Sequence, residues 1–278
     1  MTGTGKRVRL GRLIDRHGAS IICALDHGMT SPRFLEPLAD IEARTREAVA
    51  GGANAIMISK GMCRIAQAAF APETAICMLL SASSRPQNER PDIVAIAQVE
   101  EALRLGADAV VLYVSLEGDD EPRMLQTLAE AGRECERLGL PLIAEAEFPT
   151  TYASVGGLAS RYGFEYLQRN VRLCAELGAD LIKTNWPGDG ESFARLVDCA
   201  NGLPMVLAGG SRISDEELLQ RQEIAMQAGA IGCSVGRNIF MHERPEAITR
   251  ALARVIRERR SAREALQELE RAPAGAST

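Results

Sequence analysis

The sequence predicts a single-domain (β/α)8 barrel, and three observations lead to this prediction. Eight short runs rich in β-branched residues alternate with longer segments of helical periodicity. Glycine follows five of the predicted helices just before the next strand, as is typical of left-handed helix C-caps. The repeated strand–helix units cover about 240 residues, the usual size of such a barrel. A doubly wound open sheet is the alternative, but no predicted strand is followed by the Gly-x-Gly-x-x-Gly of its dinucleotide-binding form.

The predicted elements alternate along the whole chain. The strands are Ile21–Leu25, Ala55–Ser59, Thr74–Leu80, Ala109–Ser115, Pro141–Phe148, Leu181–Trp186, Pro204–Ala208 and Ile231–Val235. The helices are Pro37–Ala50, Arg64–Phe70, Val99–Leu105, Pro122–Leu138, Glu165–Leu177, Glu191–Ala200, Asp215–Ala228 and Arg244–Arg259. We expect residues 1–20 to cap the barrel floor, residues 21–266 to form the catalytic barrel, and residues 267–278 to be a frayed tail.

Composition narrows the function classes. The 46% of apolar and 25% of charged residues are ordinary for a globular protein. The net charge of −5 and the lack of a long basic run argue against binding to nucleic acid or to an anionic membrane. No apolar stretch reaches about 18 residues, the length of a membrane-spanning helix. Because the first ten residues also lack the apolar core of a signal peptide, we expect a cytoplasmic protein.

The cysteines and histidines indicate neither a metal site nor a disulfide framework. Seven cysteines are scattered singly, no Cys-x-x-Cys pair occurs, and there are only three histidines. A zinc site is therefore not expected, and the odd cysteine count in a reducing compartment argues against disulfides. We interpret the cysteines as small core residues and expect neither a metal nor a cofactor.

Lys183 lies alone in the apolar strand Leu181–Trp186, and a lysine in such a place is unusual. Burial disfavours the ammonium form, so the sequence predicts a pKa that falls toward neutrality. A neutral amine in a dry pocket attacks carbonyl groups and forms a Schiff base. The alternative is that the stem of Lys183 packs while its ammonium reaches water.

Other candidates follow from the rule that barrels place their chemistry at the carboxyl ends of the strands. Asp26 ends the first strand, where a carboxylate can move the protons that imine chemistry requires; the alternative is a structural ion pair with Lys60 or Arg237. His27 is expected to orient Asp26 or to bind a substrate hydroxyl. Lys60 is a second amine at the rim, expected in a solvated loop, and composition alone leaves it open as the nucleophile.

The loops after the last two strands indicate a phosphate site. Gly209, Gly210 and Ser211 follow the seventh strand, and Gly236 and Arg237 follow the eighth. Glycine lets backbone N–H groups approach an anion closely, and barrels frequently bind phosphate at this position. The alternative is that these glycines only make tight turns.

Seven motifs in a fixed order carry a family resemblance over nearly the whole chain. They are Leu25-Asp-His-Gly, Gly51-Gly-Ala-Asn-Ala, Gly106-Ala-Asp-Ala, Leu140-Pro-Leu-Ile-Ala, Gly178-Ala-Asp-Leu-Ile-Lys-Thr, Leu207-Ala-Gly-Gly and Val235-Gly-Arg-Asn-Ile-Phe. With these motifs the chain resembles the DhnA-type class I aldolases, which include archaeal-type fructose-bisphosphate aldolase and 2-amino-3,7-dideoxy-threo-hept-6-ulosonate synthase. The resemblance implies a barrel that assembles into a ring-like homo-oligomer. It also implies Lys183 as the Schiff-base lysine, Asp26 as an acid/base and the glycine loops as the phosphate site.

One departure from the family falls where substrate recognition is expected. Members usually carry a catalytic tyrosine in a Tyr-Pro-Arg-Gly stretch, whereas the matching stretch here is Phe148-Pro-Thr-Thr. Tyr113 on the neighbouring strand, Tyr152 and Glu147 are the candidate replacements. The loop Ser81–Asn88 also differs from its glycine-rich counterpart in relatives.

Three functions are consistent with the sequence. The leading hypothesis is a class I aldolase that makes or breaks a C–C bond, by aldol or transaldol chemistry, between a phosphorylated ketose or ketone, such as dihydroxyacetone phosphate, and an aldehyde. A second is a thiolase-like cleavage of a phosphorylated diketone with coenzyme A, since one branch of the family also lacks the tyrosine. A third is a non-catalytic barrel that senses a sugar phosphate.

Overall fold

The barrel is formed by eight parallel strands within the part of the chain that the computed structural model describes, residues 3–83, 93–116, 120–149 and 155–271, with no side-chain description at 83 and 155–161. The barrel strands are β1 (Ser20–Ala24), β2 (Ala55–Ile58), β3 (Ala75–Leu79), β6 (Ala109–Val114), β7 (Leu142–Ala146), β8 (Leu181–Thr184), β9 (Met205–Ala208) and β10 (Gly232–Val235). β1 pairs with both β2 and β10, which closes the ring. The predicted (β/α)8 barrel is therefore confirmed.

Helices separate the strands, and a short hairpin follows β3. The helices are α1 (Thr4–Leu13), α2 (Ile41–Ala50), α3 (Lys60–Ile65), α4 (Val99–Arg104), α5 (Glu121–Leu138), α6 (Val155–Glu176), α7 (Gly190–Cys199), α8 (Asp215–Gln227), α9 (Arg237–Phe240), α10 (Pro245–Arg257) and α11 (Ala262–Arg271). The hairpin pairs β4 (Ser81–Ser83) with β5 (Ile93–Ala95) in antiparallel fashion. Short 3₁₀ helices occur at His27–Met29, Pro32–Phe34 and Gln67–Ala69.

Alternation along the strands divides the apolar side chains into an inner and an outer core. In β1, Ile22 and Ala24 belong to the cluster inside the barrel, while Ile21 and Cys23 belong to the cluster under the helices. Successive side chains of a strand point to opposite faces, so both faces of each barrel strand are covered. Any polar side chain that points inward must therefore be partnered or lie at an open end of the barrel.

The glycine pattern behaves as predicted at the helix ends. Gly139 follows α5 with φ of 68°, and its N–H donates to the carbonyl of Cys135. The corresponding glycines after α4, α6 and α8 also have positive φ. A residue without a Cβ adopts this conformation readily, so each helix ends and the next strand begins within a few residues.

Helix α1 packs across the amino ends of the strands, which we call the floor. Lys6 donates to Glu136 at 2.8 Å and lies 3.1 Å from Asp180, just before β8. Arg12 donates to Asp108, just before β6, at 2.6 Å. Leu13 is fully buried in the inner cluster. These contacts support our proposal that the amino-terminal segment caps the barrel floor.

Two predicted helices differ most from the structure. The helix predicted at Arg64–Phe70 lies at Lys60–Ile65, since Gly61 in its first turn weakens the helical signal. The helix predicted at Glu165–Leu177 begins at Val155.

Some elements were not predicted. Residues 267–271, predicted to fray, belong to α11, where Leu269 is buried against the outer core. The helix was missed although Ala262, Ala265 and Leu269 lie at helical spacing. The hairpin of β4 and β5 was not predicted either.

All seven cysteines are free, and six of them are buried, which confirms their interpretation as core residues. Within the described ranges, no helix is both long and apolar enough to cross a membrane.

Candidate active site

Three polar side chains from adjacent strands occupy one layer of the barrel interior. Tyr113 of β6 pairs in register with Glu145 of β7, and Glu145 pairs with Lys183 of β8. Register partners in a parallel sheet point to the same face, so the three side chains converge. The layer beneath them is apolar and contains Val111, Ile143 and Leu181 of the inner cluster. The polar layer therefore lies at the carboxyl ends of the strands, the end that we call the mouth.

Carboxylates surround the amine of Lys183. Its Nζ donates a hydrogen bond to Glu145 and lies 3.2 Å from Oε1 of Glu147. Lys183 is only 8% exposed, and the two glutamates are 5% and 8% exposed. Burial alone would lower the pKa of Lys183, but Glu145, Glu147 and Asp26 stabilise its ammonium and raise the pKa above its ordinary value.

The predicted direction of the Lys183 pKa is therefore wrong. The prediction considered only the cost of burying an ammonium in an apolar strand. It did not include the carboxylates that barrel closure brings to the same layer, and their attraction outweighs desolvation. A raised pKa favours the ammonium form, so Lys183 must lose a proton before it can attack a carbonyl.

Glu145 is the functional candidate that sequence reasoning missed. Burial raises its pKa to about 7, and the nearby Glu147 and Asp26 contribute in the same direction, against the opposing charge of Lys183. The signal in the sequence was a pair of glutamates two residues apart in an otherwise apolar strand, at 145 and 147. Two such residues share one face of a strand, and a buried face rarely carries two acids without a reason.

Asp26 and His27 lie at the same mouth, after β1. The nearest carboxylate oxygen of Asp26 is 3.2 Å from Nδ1 of His27. Burial alone would raise the pKa of Asp26, but His27 and the Lys183 ammonium stabilise its charged form and hold the pKa below its ordinary value. The ring of His27 packs against Phe34 and Phe240, with centroids 5.6 and 5.2 Å away. Packing thus fixes the imidazole beside the carboxylate.

Tyr113 is buried, and its hydroxyl donates to the carbonyl of Phe148 at 2.5 Å. The Phe148 ring itself faces α6, where it stacks at 6.2 and 6.0 Å from the rings of Tyr162 and Tyr166. The position of the family tyrosine is therefore filled by a core ring, and the Tyr113 hydroxyl reaches the backbone of that position. Tyr152 and residues 84–88 of the loop Ser81–Asn88 lie outside the described residues.

The loops predicted to bind phosphate lie next to each other at the mouth. Gly210 has a backbone φ of 62°, a conformation that residues with a side chain rarely adopt. At Gly236 a Cβ would lie 2.6 Å from the ring of His27, so only glycine allows this approach. Arg237 begins α9 and is 7% exposed. Glycines are thus required here by geometry, and a guanidinium lies beside them.

Asn238 fastens the two loops together. Its side-chain amide donates to the carbonyls of Gly209 and Ser211 at 3.0 and 3.1 Å, and its oxygen accepts from the N–H of Ile213 at 2.9 Å. The loop after β9 is therefore held in one conformation by the first turn of α9.

Lys60 does not join this cluster. It begins α3 and donates to Glu101 at 3.0 Å, and its side chain is 43% exposed. A partly solvated lysine that is paired with a surface carboxylate is a poorer nucleophile candidate than Lys183. Within the described residues, no group of three or more His, Cys, Asp or Glu side chains is arranged to hold a metal ion.

Comparison with known proteins gives a consistent family. The family described as DeoC/LacD family aldolase matches residues 20–242. The chain is 37% identical, over 92% of its length and 93% of the relative's, to 2-amino-3,7-dideoxy-D-threo-hept-6-ulosonate synthase of Halobacterium salinarum. It is 30% identical, over 88% of its length and 92% of the relative's, to the class 1 fructose-bisphosphate aldolase of Thermoproteus tenax. A solved archaeal fructose-1,6-bisphosphate aldolase, with its catalytic Lys bound covalently to the carbinolamine intermediate of the substrate, superposes with a TM-score of 0.79. That structure is 27% identical and covers 90% of this chain and 99% of its own.

Proposed function

The chain belongs to the DeoC/LacD family of aldolases, and on that premise we propose that Lys183 forms a Schiff base with a phosphorylated ketose or ketone. The enzyme class is that of the class I aldolases, carbon–carbon lyases that work through a Schiff-base lysine. Dihydroxyacetone phosphate with an aldehyde partner is the substrate pair that we propose. The C–C bond is made or broken next to the carbon that carries the imine.

One observation carries the assignment of the lysine. The chain has three lysines, at positions 6, 60 and 183. Lys6 is paired at the floor and Lys60 is paired with Glu101 on α3, whereas Lys183 lies inside the barrel at the mouth. The mouth is the end where barrel enzymes carry out their chemistry. Lys183 is therefore the amine best placed to form the imine.

The remaining candidates have distinct roles in the proposal. Asp26, oriented by His27, exchanges the proton of the substrate hydroxyl next to the cleaved bond. Gly210, Ser211 and Gly236 offer backbone N–H groups to the phosphate, and Arg237 adds a charge-assisted contact. Gly209 contributes only the shape of the loop, because its own N–H donates to the carbonyl of Ser234 at 3.0 Å. We assign to Tyr113 the proton transfer to the aldehyde oxygen, because its hydroxyl lies at the backbone of the position where relatives carry a tyrosine.

Borohydride reduction tests the proposal directly. The protein is incubated with dihydroxyacetone phosphate, reduced with borohydride, and digested for peptide mass analysis. We expect the reduced adduct on Lys183, an unlabelled Lys60, and no adduct in Lys183→Met. The matched control Lys60→Met should be labelled like the unaltered chain, and an adduct confined to Lys60 would contradict the proposal.

A thiolase-like reaction is the second candidate, because Phe148 occupies the position of the family tyrosine and has no phenol hydroxyl. Its ring packs in the outer core against Tyr166. A requirement for coenzyme A distinguishes it from the aldolase. We also propose that turnover needs neither a metal nor a cofactor and that the chain forms a homo-oligomer. Activity after EDTA treatment and the mass in solution test these two points.

A further inference from the structure

Two glutamates, one on β7 and one just after it, contact the amine of Lys183, and the proposed reaction has so far given them no role. Glu145 accepts a hydrogen bond from Nζ, and Glu147 lies 3.2 Å from the same atom. An ammonium has three N–H groups, so most of its donor capacity is directed at these two carboxylates. Each lies in contact with the atom that must lose protons if an imine forms.

The end of β7 is held in the shape that aims both acids inward. The N–H of Glu147 donates to the carbonyl of Glu145 at 3.0 Å, a local turn that ends the strand. The carbonyl of Glu147 accepts from the side-chain amide of Asn170 at 3.3 Å, and the same amide binds the carbonyl of Val114 at 2.9 Å. Asn170 is fully buried, so α6 fixes the backbone that carries the acids.

We propose that Glu145 is the proton relay of imine formation at Lys183, with Glu147 as the fixed counter-charge. The proposal rests on the proposed function, because a relay has a purpose only if Lys183 attacks a carbonyl.

The protons of the ammonium balance the reaction without any outside donor. Glu145 takes one proton from Lys183, the nitrogen lone pair forms the C–N bond, and the carbonyl π pair moves to the oxygen. Glu145 then protonates that alkoxide and takes a second proton from the nitrogen, which was positively charged after the attack. Finally Glu145 gives this proton to the hydroxyl, which leaves as water while the nitrogen lone pair forms the C=N bond. The third proton remains on the iminium. The nitrogen carries a charge of +1 before and after the reaction, and Glu145 ends as the carboxylate that it was at the start.

Burial and charge suit Glu145 for this exchange. Its pKa of about 7 is that of a group that both accepts and donates protons near neutrality. A substrate that fills the mouth expels water, and loss of water penalises the ammonium–carboxylate pair relative to the neutral amine and acid. Glu147 lies 3.2 Å from the same nitrogen, where a carboxylate stabilises the positive charge of the ammonium and of the iminium.

Two reagents separate a relay from a merely structural ion pair. Cyanate reacts with a neutral amine and reports how readily Lys183 loses its proton. Dihydroxyacetone phosphate with borohydride reports iminium formation, which needs acid catalysis as well. Both rates are followed at Lys183 by peptide mass at pH 7 in the unaltered chain, Glu145→Gln, Glu145→Asp and Glu147→Gln. Glu147→Gln is the matched control, because it removes an equivalent charge from the same strand face.

The relay predicts opposite changes in Glu145→Gln. Cyanate labelling should become several-fold faster, because the ammonium loses a stabilising charge, whereas iminium trapping should slow by roughly 10²–10⁴-fold, the scale of a lost acid–base group. Glu145→Asp should restore part of the trapping rate. In Glu147→Gln cyanate labelling should also become faster, whereas iminium trapping should slow by no more than several-fold, because this variant removes a counter-charge and leaves the relay in place.

Three results would overturn the inference, and one of them is specific to the function. If Glu145→Gln traps the ketone as fast as the unaltered chain, Glu145 is only an ion-pair partner. Equal losses of trapping in Glu145→Gln and Glu147→Gln would show that total charge matters and not a relay. If the unaltered chain is labelled by cyanate at Lys183 yet never traps the ketone, the proposed function fails and the relay with it.

Discussion

At the floor of the barrel, carboxylates bind both a basic side chain and a backbone N–H, whereas at the mouth one lysine faces three carboxylates. At the floor, Asp180 approaches Lys6 and also accepts the N–H of Leu142 at 2.8 Å. Asp108 binds Arg12 and accepts the N–H of Ile76 at 3.0 Å. These acids satisfy backbone donors near the starts of the strands and are therefore part of the fold.

The mouth contains the same types of residue, but its carboxylates outnumber the amine that they surround. Glu145 and Glu147 contact Lys183, and the charge of Asp26 acts on the same amine. At the floor a change of protonation would only break structure, whereas at the mouth it is required for chemistry. The surroundings of a buried ion pair thus indicate its role. Where each acid also binds backbone donors, the pair stabilises the fold. Where several acids surround one amine, the arrangement favours proton transfer.

The largest expected effect separates the two lysines. Lys183→Met should lower turnover by on the order of 10⁴–10⁶, the scale for a removed nucleophile. It should keep the fold, since methionine has a similar length and Glu145 can take up a proton. Lys6→Met should leave turnover nearly unchanged and lower the free energy of unfolding by about 1–3 kcal/mol, because it leaves Asp180 poorly compensated. Steady-state kinetics and urea unfolding measure both, and equal losses of activity would contradict the division between the two ends.

Tyr113 is the next test of the mouth. Tyr113→Phe should lower turnover by roughly 10²–10⁴-fold, the scale of a lost general acid or base, while borohydride trapping at Lys183 continues. Turnover should fall while trapping continues, because the phenol acts on the aldehyde oxygen and not on the imine. Normal turnover would show that the hydroxyl only holds the carbonyl of Phe148, and Tyr152→Phe and Glu147→Gln would then be compared as replacements.

The sequence predicted the barrel well because its signals are local. Each of the eight barrel strands was identified with ends within two residues of those observed, since apolar runs and C-cap glycines mark strands and helix ends independently of the fold. Lys183 and Asp26 were also predicted as site residues, because each interrupts an apolar run at a strand end, and their roles remain a proposal. Helix α1 was not predicted, because its short, basic sequence has a weak apolar side and is held by charges from distant strands.

The environment of Lys183 depended on information that the sequence does not show directly. The contacting partners of Lys183 come from β7 and the residue just after it, 36 to 38 residues earlier, and the register of β7 against β8 brings them to the amine. Shifting that register by one residue would turn Glu145 to the outer face. The residue types were visible in the sequence, but the direction of the Lys183 pKa required the register.

A substitution at Arg237 tests phosphate binding at the mouth, and its expected effect is smaller than those on turnover. Arg237→Ala should raise the KM for a phosphorylated substrate about ten- to a hundredfold, since a charge-assisted contact is worth roughly 1.5–3 kcal/mol. The KM for the dephosphorylated analogue should hardly change. As a control, Arg12→Ala at the floor should affect stability and neither KM. Equal losses for both substrates would mean that Arg237 supports structure.

The smallest expected effect concerns stability and pH, and between pH 5 and 7.5 only the mouth should respond. Burial raises the pKa of Glu145 from 4.5 to about 7, so between these values the folded chain holds a proton that the unfolded chain has lost. Stability must therefore fall as pH rises through that window, by about 1–3 kcal/mol for this group. Glu145→Gln removes the titration, so its stability relative to the unaltered chain should increase between pH 5 and 7.5.

Glu136 at the floor is the control. Lys6 lowers the pKa of Glu136, so the stabilisation that this carboxylate gives is complete above the ordinary carboxyl pKa and is lost only as pH falls below it. The cost of Glu136→Gln should therefore be constant between pH 5 and 7.5. Urea unfolding of both variants at the two pH values measures the difference, and parallel behaviour would show that the acids of the mouth are held in the same way as those of the floor.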